Sequence, residues 1–282
     1  MKDKYLELFI ENALQEDIGD GDHTSLACIP VDAKGKARLL AKEEGVLAGV
    51  RIASLVFHKL DPEAFVHVYL EDGSFIHPDD VVFIVEGKIL ALLQAERTML
   101  NILQRMSGIA TVTRLYTDRL KGLKTKILDT RKTAPGIRML EKEAVRIGGG
   151  VNHRLGLYDM ILIKDNHIDF AGGIPEAIER VHRYLRKTGK NLKIEVEARS
   201  LQDVKTILKT GGVNRIMLDN FSLSDTRSAV QIIGNAFETE SSGGITLETI
   251  RSYAECGVDY ISVGALTHHI DSLDLSLDAI DF

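Results

Sequence analysis

Residues 192–220 read LKIEVEARSLQDVKTILKTGGVNRIMLDN. The β-rich run LKIEVEA at 192–198 predicts a strand. The stretch LQDVKTILKTGG at 201–212 carries apolar residues at helical spacing and stops on glycine, and NRIMLDN at 214–220 predicts a second strand. Strand, helix and strand at this spacing make a parallel βαβ unit.

The same alternation extends outward in both directions. Upstream lie KTKILDT at 124–130, GIRMLEKEAVRIG at 136–148, DMILIKD at 159–165 and IPEAIERVHRYLRKTG at 174–189. Downstream lie LSDTRSAVQIIG at 223–234, NAFETESS at 235–242, TLETIRSYAECG at 246–257 and DYISVGAL at 259–266. Six strand candidates separated by five helices predict a parallel α/β fold, spaced for a TIM-like barrel that is incomplete. A doubly wound open sheet is the alternative, but no GxGxxG follows a strand.

The first part of the chain is written differently. Leu6, Phe9, Ile10, Ala13 and Leu14 predict an amphipathic helix over 4–16. Strands and turns are expected over 35–85, interrupted by a helix near 52–59, and a long helix is expected over 89–120, with a kink at Gly108. The expected organisation is an α+β domain at 1–110 and a β/α barrel at 111–269, with a strand-like tail at 270–282 returning to the first domain.

Hydrophobic residues are 44% and charged residues 27% of 282, an ordinary balance for a globular chain. A net charge of −6 argues against nucleic acid as the partner. Only Cys28 and Cys256 are present, too few for a disulfide framework, and both are expected to be small buried apolar residues. The opening twenty residues lack the apolar core of a signal peptide, and Glu86, Lys88, Glu96 and Arg97 break the most apolar long stretch. The expectation is a cytoplasmic protein with no membrane segment.

Catalytic groups of β/α barrels collect at the carboxyl ends of the strands. Here those ends carry Asp129, Thr130, Arg131 and Lys132, then Lys164, Asp165 and Asn166, then Glu195 and Glu197 on one strand face, then Asp219 and Asn220. The later strands end in Glu240, Ser241, Ser242, Gly243 and Gly244, and in Gly264. Charge at so many strand ends exceeds what stability needs, since buried unpaired charge is costly. Arg131, Lys132, His153, Arg154 and Lys164 form a cationic set suited to an anionic substrate. Glu197 and Asp219 suit either a divalent metal or the stabilisation of a sugar cation, and otherwise balance the basic residues. The Ser242-Gly243-Gly244 turn before a helix suits a phosphate. Lys164 also fits a Schiff-base lysine of the aldolase type.

The segments EDIGDGDHTS (16–25), AERTMLNILQRMSGIAT (95–111) and DTRKTAPGIRMLEKEAVRIGGGVNHRLGLYDMILIKDNHI (129–168) resemble quinolinate phosphoribosyltransferase, and the resemblance covers nearly the whole chain. It implies an amino-terminal α+β sandwich followed by an incomplete β/α barrel, in a homodimer with a shared active site. It implies quinolinate and phosphoribosyl pyrophosphate (PRPP) as substrates, Mg2+ with PRPP, and no organic cofactor. By motif, Arg97 is the arginine lent by the second subunit. Arg131, His153 and Arg154 fall on the quinolinate side, Thr130 is a further substrate-binding residue, Lys132 and Lys164 face the ligands, and Glu197 and Asp219 stand on the ribose and metal side. Ser242, Gly243, Gly244, Gly264 and Ala265 form the phosphate cradle. A relative preferring nicotinate, and a ligand-binding homologue without turnover, are the alternatives.

Overall fold

The computed structural model describes residues 2–280; residues 1, 281 and 282, the last two within the expected tail, lie outside the described residues. The chain forms two compact units. The first holds the residues up to Arg114, then Ala134–Gly149, then those from His269 onward; the second holds Leu115–Thr133 and Gly150–His268.

The first unit contains α1 (Lys2–Ile18), α2 (His23–Cys28), β1 (Lys34–Ala41), β2 (Gly45–Val46), α3 (Val50–Leu60), β3 (Phe65–Val68), β4 (Phe75–Ile76) and β5 (Val81–Lys88). α4 (Ile89–Arg119) starts here and gives its last turn to the second unit. The second unit contains β6 (Lys126–Leu128), after which α5 (Arg138–Ile147) returns to the first. Then follow β7 (Ile161–Ile163), α6 (Asp165–Ala171), α7 (Ile174–Thr188), β8 (Ile194–Ala198), α8 (Leu201–Thr210), β9 (Arg215–Asp219), α9 (Leu223–Ile233), β10 (Glu238–Ser242), α10 (Ile250–Ala254), β11 (Tyr260–Ser262) and α11 (Ala265–His268). The final strand, β12 (Leu275–Ile280), belongs to the first unit.

In the first unit an antiparallel sheet runs β12-β1-β5-β3. The tail strand enters it directly, with Leu39 opposite Leu277 and Ala41 opposite Leu275. α3 turns Ile52, Val56 and Phe57 into the core. Phe57 meets Phe83 of β5 edge to face at 6.0 Å, a pairing worth about 1 kcal/mol beyond area burial. Gly108 lies within continuous α4 rather than at a break; a Cβ there would collide with the backbone of Asp271, so glycine admits the returning chain.

α5 departs from expectation. It follows the first barrel strand, yet its apolar face (Leu140, Ala144, Val145) is buried in the first unit. Its Glu141, 1% exposed, accepts Nε of Arg105 at 2.8 Å and Nη2 at 2.6 Å, tying α5 to α4. The contacts therefore divide the chain after Arg114 instead of at 110 and assign 134–149 to the first unit. Cys28 also departs: it is exposed at the end of α2, whereas Cys256 is buried. Residue type was the only ground for burying Cys28, and its short helix keeps just Ser25 inside.

The second unit is one six-stranded parallel sheet in the order β6-β11-β10-β9-β8-β7, its helices returning the chain between strands. β6 and β7 pair with no common neighbour, so the barrel is open between them. Ser200 and Ser222 cap α8 and α9 by accepting the N–H groups of Asp203 and Asp225, satisfying orphan donors of the first turn. Gly189, at φ +65, closes α7 in the left-handed region. These helix ends are thus fixed locally, and every strand delivers its last residues to the same end of the sheet.

Candidate active site

A cavity of about 620 Å³ opens at the carboxyl ends of the parallel strands. Thr130, Arg131 and Lys132 enter it from beyond β6, His153 and Arg154 from the following loop, and Lys164 from beyond β7. Asp219 at the end of β9 joins them, with Ser242, Gly243 and Gly244 after β10 and Gly264 and Ala265 after β11. Glu197 stands behind this lining on β8, 6% exposed, and its Oε2 accepts Lys164 Nζ at 3.1 Å. Burial pushes the Glu197 carboxyl above its ordinary pKa; the Lys164 ammonium opposes this and the charge of Asp219 adds to it.

The cationic side is held in place by Asp129, which is fully buried at the end of β6. Its carboxylate accepts Asn152 Nδ2 at 2.6 Å and the His153 N–H at 2.8 Å. Asp159 accepts the N–H groups of Leu155 and Gly156 at 2.7 and 2.9 Å, closing the other end of the loop. Arg154 donates to the Met160 carbonyl at 3.2 Å. Burial, and then the charge of Arg131, lower the Arg154 pKa. Two guanidinium groups held close enough to repel suit an incoming anion that bears more than one negative charge.

The glycine turn has a geometric reason. Gly243 and Gly244 have φ of +95° and +59°, and a Cβ on Gly243 would strike Asn220 Oδ1. Asn220, itself at φ +56°, donates its amide to Asp219 Oδ2 at 2.7 Å and its N–H to the Ser242 carbonyl at 2.8 Å. One residue therefore links the acidic group of β9 to the glycine turn of β10. At Gly264 a Cβ would lie 2.8 Å from His268 Nε2 and 3.0 Å from Lys132 Cδ.

His268 and Thr246 line the cavity, and sequence reasoning did not single them out. For His268 a signal existed, since it follows Gly264 by one turn of helix; a lone histidine in a four-residue helix is otherwise unremarked. Arg97 lies elsewhere: it is exposed on α4 and lines a cavity of about 360 Å³ within the first unit, with Glu16, Arg105 and Glu141. No helix among the described residues is long and apolar enough to cross a membrane.

The quinolinate phosphoribosyl transferase N-terminal domain family matches residues 22–107, and the C-terminal domain family matches residues 109–278. The chain is 46% identical to a chloroplastic nicotinate-nucleotide pyrophosphorylase [carboxylating] of Oryza sativa subsp. japonica, over 96% of this chain and 77% of that protein. It is 42% identical to a probable nicotinate-nucleotide pyrophosphorylase [carboxylating] of Bacillus subtilis (strain 168), over 97% and 93% respectively. The solved nicotinate-nucleotide pyrophosphorylase of Francisella tularensis superposes with a TM-score of 0.91 at 39% identity, covering 98% of this chain and 96% of that one. With both domains matched in order, this chain belongs to the quinolinate phosphoribosyl transferase family.

Proposed function

We propose that this chain transfers the phosphoribosyl group of PRPP to quinolinate, releasing pyrophosphate and carbon dioxide and forming nicotinate mononucleotide in NAD biosynthesis. Family membership over both domains supports the reaction class. The observation that carries the reading is a single cavity that sets Arg131 and Arg154 on one side, Asp219 on another and the Ser242-Gly243-Gly244 turn beside them. A planar dicarboxylate, a developing sugar cation and a phosphate are the three chemistries such a cavity suits.

In this reading Arg131 and Arg154 hold the two carboxylates, with His153 against them, and turn the pyridine nitrogen toward the sugar. Lys132, Lys164 and the glycine turn hold the phosphates. Glu197 and Asp219 stabilise positive charge on the ribose as its bond to pyrophosphate loosens. The nitrogen then bonds to the ribose carbon. Once quaternary, it draws electrons from the ring, and the neighbouring carboxylate leaves as carbon dioxide, the bonding pair staying on the ring carbon, which takes up a proton from solvent.

The two carboxylates also fit a magnesium ion brought with PRPP. They are hard oxygen donors on adjacent strands, and the charge of Asp219 adds to the rise in the Glu197 pKa. Bound there, magnesium would neutralise and orient the pyrophosphate leaving group. The Schiff-base reading of Lys164 is disfavoured, because its Nζ is engaged in a hydrogen bond to the Glu197 carboxylate at 3.1 Å instead of standing free toward a carbonyl.

Arg97 completes the proposal as a residue contributed by a second copy of the chain, since it does not line the barrel cavity. The deciding experiment supplies PRPP and magnesium with quinolinate in one sample and nicotinate in another, and follows nucleotide and carbon dioxide. Turnover with quinolinate alone is expected. Turnover with nicotinate alone would overturn the dicarboxylate assignment, and ligand binding without turnover would point to a non-catalytic homologue.

A further inference from the structure

The loop after β9 carries a constraint that the reaction above leaves unused. Among the described residues Asp79 and Asn220 are the two non-glycines in the left-handed region, and Asn220, at φ +56°, is the one that lines the barrel cavity. That backbone is costly for most side chains and is tolerated by asparagine. Asp219 and Ser242 face each other on the last rung of the β9–β10 ladder. The Asn220 N–H adds one more bond, to the Ser242 carbonyl at 2.8 Å, and the chain then turns left-handed.

The Asn220 side chain folds back over the end of its own strand. Its Nδ2 donates to Asp219 Oδ2 at 2.7 Å. An ionised carboxylate only accepts, so this bond fixes which end of the amide is nitrogen and leaves Oδ1 against Gly243. A Cβ at Gly243 would collide with that oxygen, so the glycine turn is shaped around the side chain as well as the backbone.

The donor is also neutral. Glu197 takes its hydrogen bond from the Lys164 ammonium, whereas Asp219 forms no ion pair among the described residues and takes its bond from an amide. We propose that Asn220 is a positioning residue for the sugar-phosphate half of the reaction. Its amide orients the Asp219 carboxylate without cancelling the charge, and it locks that carboxylate to the Ser242-Gly243-Gly244 turn as one unit. A lysine or arginine in its place would neutralise the charge that a ribose cation meets. The inference rests on the reading of Asp219 and the glycine turn as the PRPP side.

A turn requirement alone does not account for asparagine. Glycine adopts this backbone without strain, and the neighbouring loop uses it twice, at Gly243 (φ +95°) and Gly244 (φ +59°). Asn220→Gly therefore separates the two roles, because it keeps the turn and deletes the amide.

The test uses the full chain, with thermal melts to establish folding, steady-state kinetics, and calorimetric binding of quinolinate. In Asn220→Gly, kcat/KM for PRPP should fall about tenfold, while the dissociation constant for quinolinate stays within about twofold of the parent. Asn220→Asp also tolerates the left-handed backbone, but it lacks the donor and sets a second negative charge beside Asp219, so its loss with PRPP should be at least as large. Parent-like PRPP kinetics in the glycine variant would mean that the residue serves the turn alone and would overturn the proposal. So would an equal loss of quinolinate affinity and PRPP use, the mark of a general disturbance of the barrel mouth. If the glycine variant does not fold, Asn220→Asp decides by the same comparison. Absence of quinolinate turnover in the parent would instead sink the functional reading. Calorimetric binding of PRPP with magnesium would then compare parent and glycine variant, and an unchanged PRPP affinity would overturn the role of Asn220.

Discussion

Arg131 is exposed at the end of β6 and supports no core packing, so its removal separates function from folding. Arg131→Ala should lower kcat/KM for quinolinate on the order of a hundredfold while the melting temperature stays within about 2 °C of the parent. Calorimetry beside the product assay checks both halves. Glu240 gives a pH signature. Its carboxyl moves from 4.5 in the unfolded chain to about 8 in the fold, because burial and then the charge of Glu195 disfavour ionisation. The folded protein thus binds the extra proton between those values. Stability from this group is complete below 4.5 and declines as pH rises to about 8. Thermal melts across that window should slope less in Glu240→Gln than in the parent. At this scale the sequence was readable in kind but not in depth. Alternation puts Glu195 and Glu197 on one strand face, but it does not say that Glu195 sits fully within the barrel against His153 while Glu197 stands nearer the mouth on Lys164. Cys28 shows the converse: residue type predicted burial, and its place at the end of a short helix gave exposure.

Among elements, the parallel strands were legible because most are short runs rich in apolar residues between helical patterns, and the polar β10 (ETESS) was legible from its place in the alternation. α5 was not. Its periodicity announces an apolar face but not which sheet that face covers, and the answer lies in the pairing of Glu141 with Arg105, far away in sequence. Removing the cation should strand a buried carboxylate, so Arg105→Met is expected to cost on the order of 3 kcal/mol, read from urea unfolding. The β10 turn offers a sharper test. Gly243→Ala forces both a left-handed backbone and a clash with Asn220, so PRPP use should fall more than quinolinate binding does. Separate titration of each ligand checks that order. Equal loss for both ligands would remove the turn from the phosphate site.

At the scale of the whole molecule, Arg97 lines a cavity in the first unit, whereas the other predicted residues line the barrel cavity, with Glu197 behind that lining. If a second copy supplies Arg97, two inactive variants should repair each other. Arg97→Ala and Arg131→Ala, mixed and allowed to exchange subunits, should recover about a quarter of the parent activity, because half the dimers are hybrids and each hybrid has one intact site. No recovery after demonstrated exchange would argue against a shared site. The two-part architecture itself was legible from the change in pattern near residue 125, where strands begin to alternate with helices. The exact division was not, because contacts rather than composition return 134–149 to the first unit.

The pairing of β12 with β1 joins the two ends of the chain in one sheet. During synthesis β1 and β5 are made early, yet one edge of β1 must wait, with its backbone groups open, until the β12 residues have been made. The second unit can close around its own consecutive strands in the meantime. A ribosome stalled, or a message cut, shortly before β12 would therefore release a chain whose barrel is finished and whose first sheet still presents a templating edge.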